Sequence, residues 1–464
     1  MKRHPYGAAN RLRRLPVLAV ALGALAAGSS PAHAATLVVD RDRVQCASAG
    51  FTAIQDAVDA AQPGDLIRVC PDRYTESVVI DQPLMLKGDP EAIETVDCFQ
   101  PTPSHLGDLD PTQQAIIDPA EDGFTVAFKL AANDVVLEGL VVEGASVGID
   151  AADRFSGYRV DHNLIRLNTL FGIDFGSEGA RESRVDHNCL RENQFGLMSE
   201  LDDGSLWKFS DGPERDAWNA RDLINVRIDH NATFRNYGAN GWGGGLETAG
   251  PGRRDRVAFD HNASREELIA IALQNAAQSA IVENEVASTR VYSILLGGAN
   301  TALDISSNSV RGTTTATGIR FAPEAFTLDF LPILSRDVLV TDNDVRGAAA
   351  GIYARPASLV ASLIANNTTS ENRGNGINMF SSGNVIRANQ SNNNGVAGIT
   401  AFPGAIGNRF EHNSMHGNAS VPGASFPGAD ARDLNPLLND MLQNDWIGND
   451  CDTDIPAGMI CGVG

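Results

Sequence analysis

An all-β fold of stacked coils is what this 464-residue sequence predicts, and three observations predict it. First, a short motif returns as Asp161-His162-Asn163, Asp186-His187-Asn188, Asp229-His230-Asn231 and Asp260-His261-Asn262. Weaker copies follow at Asn284, Asn308, Asn343, Asn367, Asn389 and Glu411-His412-Asn413. The steps between these asparagines are 25, 43, 31, 22, 24, 35, 24, 22 and 24 residues, a repeat period with three longer insertions. Second, the apolar residues within a copy alternate at period two, as in Val160, Leu164 and Ile173, which indicates strand rather than helix. Third, the best copies add a second asparagine and a Gly-Ile or Gly-Leu pair: Asn168 with Gly172-Ile173, Asn193 with Gly196-Leu197, Asn372 with Gly376-Ile377, Asn394 with Gly398-Ile399.

Three short strands and three turns in roughly 24 residues make one coil of a right-handed parallel β-helix. Stacked coils pair every backbone N–H and C=O with the coil above and below. Asparagine suits the recurring turn because it tolerates left-handed backbone and its amide can bond to the next copy. With Gly88 and Gly139 at the turn early on, the spacing predicts about 12 coils. A column of His162, His187, His230, His261 and His412 invites a zinc or copper reading. Their shared place in a structural turn favours stacked turn residues instead. The Asn-x-Ser/Thr triplets at Asn231, Asn262 and Asn389 follow from the same ladder.

The flanks are legible too. Residues 1–34 read as an export signal, with a basic start, an apolar run from Leu15 to Gly28 and Ala32-His33-Ala34 as cleavage site. Residues 35–83 are read as N-terminal cap and first coil, and 84–420 as the β-helix. Insertions are expected at 89–122, 201–224, 237–256 and 321–337, and 421–464 as a looped C-terminal cap. Phe51, Ile54, Val58 and Ala61 have helical spacing, with Thr52 and Gln55 placed as a capping box over the open first coil. The six cysteines of an exported chain suggest disulfides. Proximity favours Cys451–Cys461 and Cys46–Cys70, leaving Cys98–Cys189 by elimination. The charge is −22 for the whole chain and about −27 without the five basic residues of the leader, a surface that repels nucleic acid and anionic membrane.

Phe51-Thr52-Ala53-Ile54-Gln55-Asp56-Ala57-Val58, Pro63-Gly64-Asp65, Ile67-Arg68-Val69 and Tyr74 resemble the opening of many right-handed parallel β-helix proteins of the pectin-lyase-like superfamily. The repeated Asn and Gly-Ile turns resemble the copper-maturation (NosD-like) repeat class and secreted carbohydrate-processing relatives. The resemblance covers roughly residues 36–420 and implies the fold. It does not carry a catalytic set, because the Asn-Thr-Asp and Arg-Ile-Lys segments of polygalacturonases are absent. So are the Gly-Arg-Pro-Trp of pectin methylesterases and the Asp-Pro-His-Asp of alginate epimerases.

Candidate chemistry comes from the strand opened by Gly-Ile, where the residue after the inward isoleucine points out. Down the stack that column reads Thr125, Asp150, Asp174, Met198, Glu247, Ala272, Leu295, Arg320, Tyr353, Asn378 and Thr400, with Glu200 outward beside it. Asp150, Asp174, Glu200 and Glu247 are candidate carboxylate acids, bases or nucleophiles, and Arg320 a candidate to stabilise an acidified sugar proton. Two or three such carboxylates could also hold calcium. Trp207, Trp218 and Trp242 in the insertions, with Arg253 and Tyr353, are candidates for stacking on and binding sugar rings. Gly241-Trp242-Gly243-Gly244-Gly245 lacks the Lys-Ser/Thr of a phosphate cradle. The sequence therefore suggests a secreted, monomeric polysaccharide-processing enzyme: a lyase, hydrolase or epimerase, with calcium as the one candidate cofactor. The alternative is a non-catalytic β-helix that binds carbohydrate, a surface or a protein.

Overall fold

The computed structural model describes residues 34–94, 96–100, 109–119, 123–199, 221–237, 243–248, 252–323, 334–418, 429–438, 441 and 443–462. The leader lies outside these residues. So do parts of all four insertions and part of the C-terminal cap, 419–428.

Three long sheets of 16, 11 and 14 strands carry the fold, and every pairing within them is parallel. The chain visits them in rotation. Arg159–Asp161 lies in the first sheet, Leu164–Arg166 in the second and Phe171–Phe175 in the third, and the next coil repeats the circuit with Ser183–Asp186, Cys189–Arg191 and Phe195–Ser199. The strand ladders run between coils, so each coil templates the next. One apolar core runs the length of the stack. Val160, Val185, Ile228 and Phe259 fill it from the first sheet, and Ile149, Ile173, Leu197 and Leu246 from the third. Each such side chain, fully buried, stabilises the stack by about 1.5–3 kcal/mol.

The turn between the first and second sheets divides its work between two residues. The left-handed backbone belongs to the residue before the asparagine: His162, His187, His230, His261 and His412 have φ between 52° and 55°, and Glu283, Ser307, Asp342, Asn366 and Ala388 take the same conformation. In the earlier coil Gly139 holds it, with φ 70°. The asparagine itself is buried and joins the coils. Asn163 Nδ2 donates to Asn188 Oδ1 at 3.0 Å, and the chain of amides continues through Asn231, Asn262, Asn284, Asn308, Asn343, Asn367, Asn389 and Asn413 to Asn449. Buried amides at Asn231, Asn262 and Asn389 are thereby committed to the ladder. Of the two expected reasons for the recurring asparagine, its side-chain amide bonding to the next copy is found, while the left-handed backbone falls on the residue before it.

The histidines stack. Ring centroids of His162, His187, His230 and His261 lie 4.7, 4.8 and 4.9 Å apart with planes within 7° of parallel. Beside them, outward on the first sheet, Asp161, Asp186, Asp229 and Asp260 stand in register. Arginines zip this acidic column to itself, Arg184 to Asp229 at 2.5 Å and Arg227 to Asp260 at 2.6 Å. Four like charges one coil apart would otherwise repel.

The expected helix lies at the N-terminal end, and at the other end the sheets run on through Ala431–Asp433, Asp445–Ile447 and Asp454–Ile455. A helix spans Ile54–Ala60 and buries Ile54, Ala57 and Val58. Its first amides are not capped by Thr52. Glu76 caps them from the adjoining chain, accepting from Ile54 N at 2.7 Å and Gln55 N at 3.0 Å. Disulfides join Cys46–Cys70, Cys98–Cys189 and Cys451–Cys461. At the far end Trp446 stacks on Phe410 at 3.9 Å and donates to Asp433 Oδ2 at 3.0 Å, which places a large apolar ring over the last coils. No helix among the described residues is long and apolar enough to cross a membrane.

Candidate functional site on the third sheet

Strand register places the residues after the inward-facing isoleucines and leucines in one outward column. Lys129, Asp150, Asp174, Met198, Glu247, Ala272, Leu295, Arg320, Tyr353, Asn378 and Thr400 follow one another coil by coil. At its head Lys129, not Thr125, is the partner of Asp150. The strand there begins later than its Gly-Phe-Thr sequence suggests.

Asp150 and Asp174 lie on adjacent coils, about 4.8 Å apart by strand spacing. Arg221 holds them together. Its side chain is 3% exposed, and Nη2 reaches Asp150 Oδ1 at 2.6 Å and Asp174 Oδ2 at 3.3 Å. Nη1 donates to the Ala151 carbonyl at 2.6 Å. This buried cation stands where a calcium between the two carboxylates would have to sit, so the pair does not fit calcium. Arg221 was not a sequence candidate. It ends the 201–224 insertion, just before the strand Leu223–Asp229, and nothing local marks its reach of 71 residues back to Asp150.

Glu247 is buried at 3% exposure, with Met198 and Ala272 as its neighbours in the column. The glycine run earlier in its strand explains how the carboxylate fits. A Cβ at Gly244 would collide with Glu247 Oε1, so only glycine lets the side chain fold back along its own strand. Asp174 and Glu247 stand two coils apart, about 9.6 Å in backbone register.

Arg320 lies six coils from Asp150, about 29 Å along the stack. Two regions of one face thus replace a single cluster. Around Arg320 the chemistry is aromatic: its guanidinium sits 4.9 Å from the Tyr292 ring centroid and 5.3 Å from that of Tyr353. Tyr353 contacts Phe380 at 5.3 Å, and Phe380 stacks on Phe402 at 3.8 Å. Tyr353, Phe380 and Phe402 are half-buried, with ring surface open to solvent. Phe380 and Phe402 directly follow the inward residues Met379 and Ala401. Extending the outward alternation past the strand ends would have found them.

Glu200, Trp207, Trp218 and Trp242 lie outside the described residues. Arg253 is exposed at the corner leading into the first sheet, its backbone N–H on Asp222 Oδ1 at 2.9 Å and its side chain 3.3 Å from Asp255. A further buried acid had no sequence signal. Glu267 takes the place of an asparagine in the second ladder, after Asn168, Asn193 and Asn236, and accepts from Asn236 N at 2.7 Å and Nδ2 at 2.8 Å. Complete burial pushes its carboxyl up to about 8.

Among the described residues, two groups of three such side chains have ligand atoms within 4.8 Å of one another: Asp161 with His162 and His187, and Asp40 with Asp42 and Asp72. In the first, His162 Nδ1 already lies 2.5 Å from Asp161 Oδ1, as part of the stacked turn.

Residues 331–426 match the family model described as "Right handed beta helix region". The three-sheet coil topology makes the described chain a right-handed parallel β-helix, and the family match covers a C-terminal part of it. Among solved structures it is similar to a mannuronic acid specific polysaccharide family 6 lyase from human gut microbiota, at 13% identity and TM-score 0.48, over 87% of this chain and 91% of the other. It is also similar to the catalytic unit of a GH87 alpha-1,3-glucanase from Streptomyces thermodiastaticus, at 14% identity and TM-score 0.43, over 92% and 71%. A periplasmic alginate epimerase aligns at 10% identity and TM-score 0.35, over 84% and 73%. No curated protein matches the chain in sequence.

Proposed function

We propose that this protein is an exported polysaccharide-processing enzyme whose reacting groups stand on the outer face of the third sheet. The observation that carries the reading is Arg221 clamping Asp150 and Asp174 on adjacent coils. A buried guanidinium holds such a pair in fixed orientation, which a base or nucleophile requires. Asp174, two coils or about 9.6 Å in register from Glu247 and so close to the separation of an inverting pair, is assigned as base, with the more exposed Asp150 as its charged neighbour. Glu247, between apolar column neighbours, is assigned as proton donor to the leaving oxygen. Arg320, Tyr353, Phe380 and Phe402 would hold a more distant stretch of the same glycan chain, which suits a polymer rather than a small sugar. Three disulfides agree with action outside the cytoplasm.

The test is product release from neutral and uronate polysaccharides, read as reducing ends and as unsaturated uronate, with calcium and with chelator. Hydrolysis gives reducing ends without unsaturation and is lost in Asp174→Asn. A lyase gives unsaturated product and shifts the assignment to Arg320. Wild-type activity in both Asp174→Asn and Glu247→Gln sinks the carboxylate assignment.

One observation favours a non-catalytic glycan binder: Asp174 and Glu247 are almost wholly buried, whereas the aromatic strip around Tyr353 is open. Absence of product from every substrate, together with retention by an immobilised glycan, would establish that reading.

A further inference from the structure

We infer that Asp40, Asp42 and Asp72 bind a calcium ion at the N-terminal end of the stack, a site separate from the third sheet. Asp40 directly follows the first strand, Thr36–Val39, and Asp72 opens the strand Asp72–Tyr74 one coil on. Asp40 and Asp42 alternate around Arg41, and Arg43 with φ 58° bends the chain back. Ligand atoms of all three lie within 4.8 Å of one another. Calcium binds oxygens at about 2.3–2.6 Å, so oxygens on opposite sides of one ion stand roughly 4.6–5.2 Å apart.

The decisive atom is Asp40 Oδ1. Asp40 is 0% exposed, and Oδ1 is buried with no hydrogen-bond partner, while Oδ2 accepts from Cys46 N at 2.5 Å. A buried carboxylate oxygen without a partner is costly to leave so. The surroundings do not supply a cation. Arg41 is drawn to the Arg73 carbonyl at 2.7 Å, and Arg73 points to Asp118 and Glu143. Among the described residues no ion pair involves Asp40, Asp42 or Asp72. Two other carboxylate columns among the described residues are zipped by arginine, Asp229 by Arg184 and Asp150 by Arg221.

The shell is otherwise prepared. Asp42 N donates to Asp72 Oδ2 at 3.2 Å, and Val44 N to Asp42 Oδ1 at 2.8 Å, which orients both carboxylates. The Cys46–Cys70 disulfide closes the loop behind them. Three carboxylates leave coordination positions for water, and affinity is expected in the range of extracellular modules, about 10⁻⁴–10⁻³ M.

The experiment uses the whole exported chain, freed of divalent ions by chelator and titrated with calcium chloride. Heat released on binding, melting temperature and tryptic cleavage after Arg41 or Arg43 are followed. Calcium is expected to raise the melting temperature and to slow cleavage in this loop at least fivefold, with magnesium much weaker. Asp40→Asn and the exposed Asp42→Asn should weaken binding at least tenfold. Asp42→Asn keeps the test valid should the buried variant misfold. No calcium-dependent protection of the loop in the wild type overturns the inference, as does unchanged protection in Asp42→Asn. Glycan activity that persists with chelator leaves the third-sheet reading standing while this one is judged on loop protection alone.

Discussion

Arg221 donates to Asp150 across 71 residues of sequence at 2.6 Å, and this one contact ties the end of a long insertion to the acidic face of the third sheet. It also brings a second carboxylate, Asp174, under the same charge. Arg221→Met should therefore leave two adjacent carboxylates partly buried without a cation and cost about 3–5 kcal/mol in urea unfolding. Adding Asp150→Asn and Asp174→Asn to that variant should restore much of the loss. An additive triple variant would show that the pair and the arginine do not act together.

Glu267 predicts a pH dependence. Its carboxyl titrates near 8 in the folded chain against 4.5 as the ordinary value, so the native state holds the proton more tightly than the unfolded one. The cost of burying the charge is absent below about 4.5, grows as pH rises, and is complete above about 8. Stability should fall over that interval, and Glu267→Gln should flatten the slope. Denaturant midpoints measured at several pH values between 4 and 9 check this. An unchanged slope in the variant would place the titrating group elsewhere.

The asparagine ladder should be cooperative at its centre. Asn308 donates to the Ile281 carbonyl at 2.8 Å and to Asn343 Oδ1 at 2.9 Å, and accepts from Asn284. Asn308→Ala leaves buried partners without bonds, and a loss of about 2–4 kcal/mol is expected by thermal or urea unfolding. Asn449, with one ladder neighbour only in Asn413, should cost less when replaced.

Left-handed turn residues predict the opposite sign. Ala388 is exposed, with φ 52°, and its side chain offers nothing in exchange for that conformation. Ala388→Gly should stabilise by about 0.5–1 kcal/mol, while Ala388→Val should destabilise. Equal melting temperatures for the two variants would contradict the assignment of strain to this position.

The aromatic strip is tested by retention. Phe402→Ala removes the ring stacked on Phe380 and should reduce binding to an immobilised glycan several-fold without changing the melting temperature by more than a few degrees. Unchanged retention would remove this strip from the binding surface.

The repeat itself determined the architecture. Asparagines at steps of 22 to 25 residues, apolar alternation and Gly-Ile pairs are local signals, and a parallel coil stack reads them out locally, because each coil contacts only its neighbours. For the same reason the sequence placed Asp150, Asp174, Glu247, Arg320 and Tyr353 in one column, whereas Cys98–Cys189 followed only by elimination from the other two disulfides. What the sequence left open depended on side chains that reach beyond their own coil. Glu76 caps the helix in place of Thr52, Arg221 neutralises Asp150 and Asp174, and Glu267 replaces an asparagine inside the stack. Periodicity fixes where a backbone goes and which way a side chain starts. Which charge a long flexible side chain meets at its far end is decided by distances in space, and only the tertiary structure contains those.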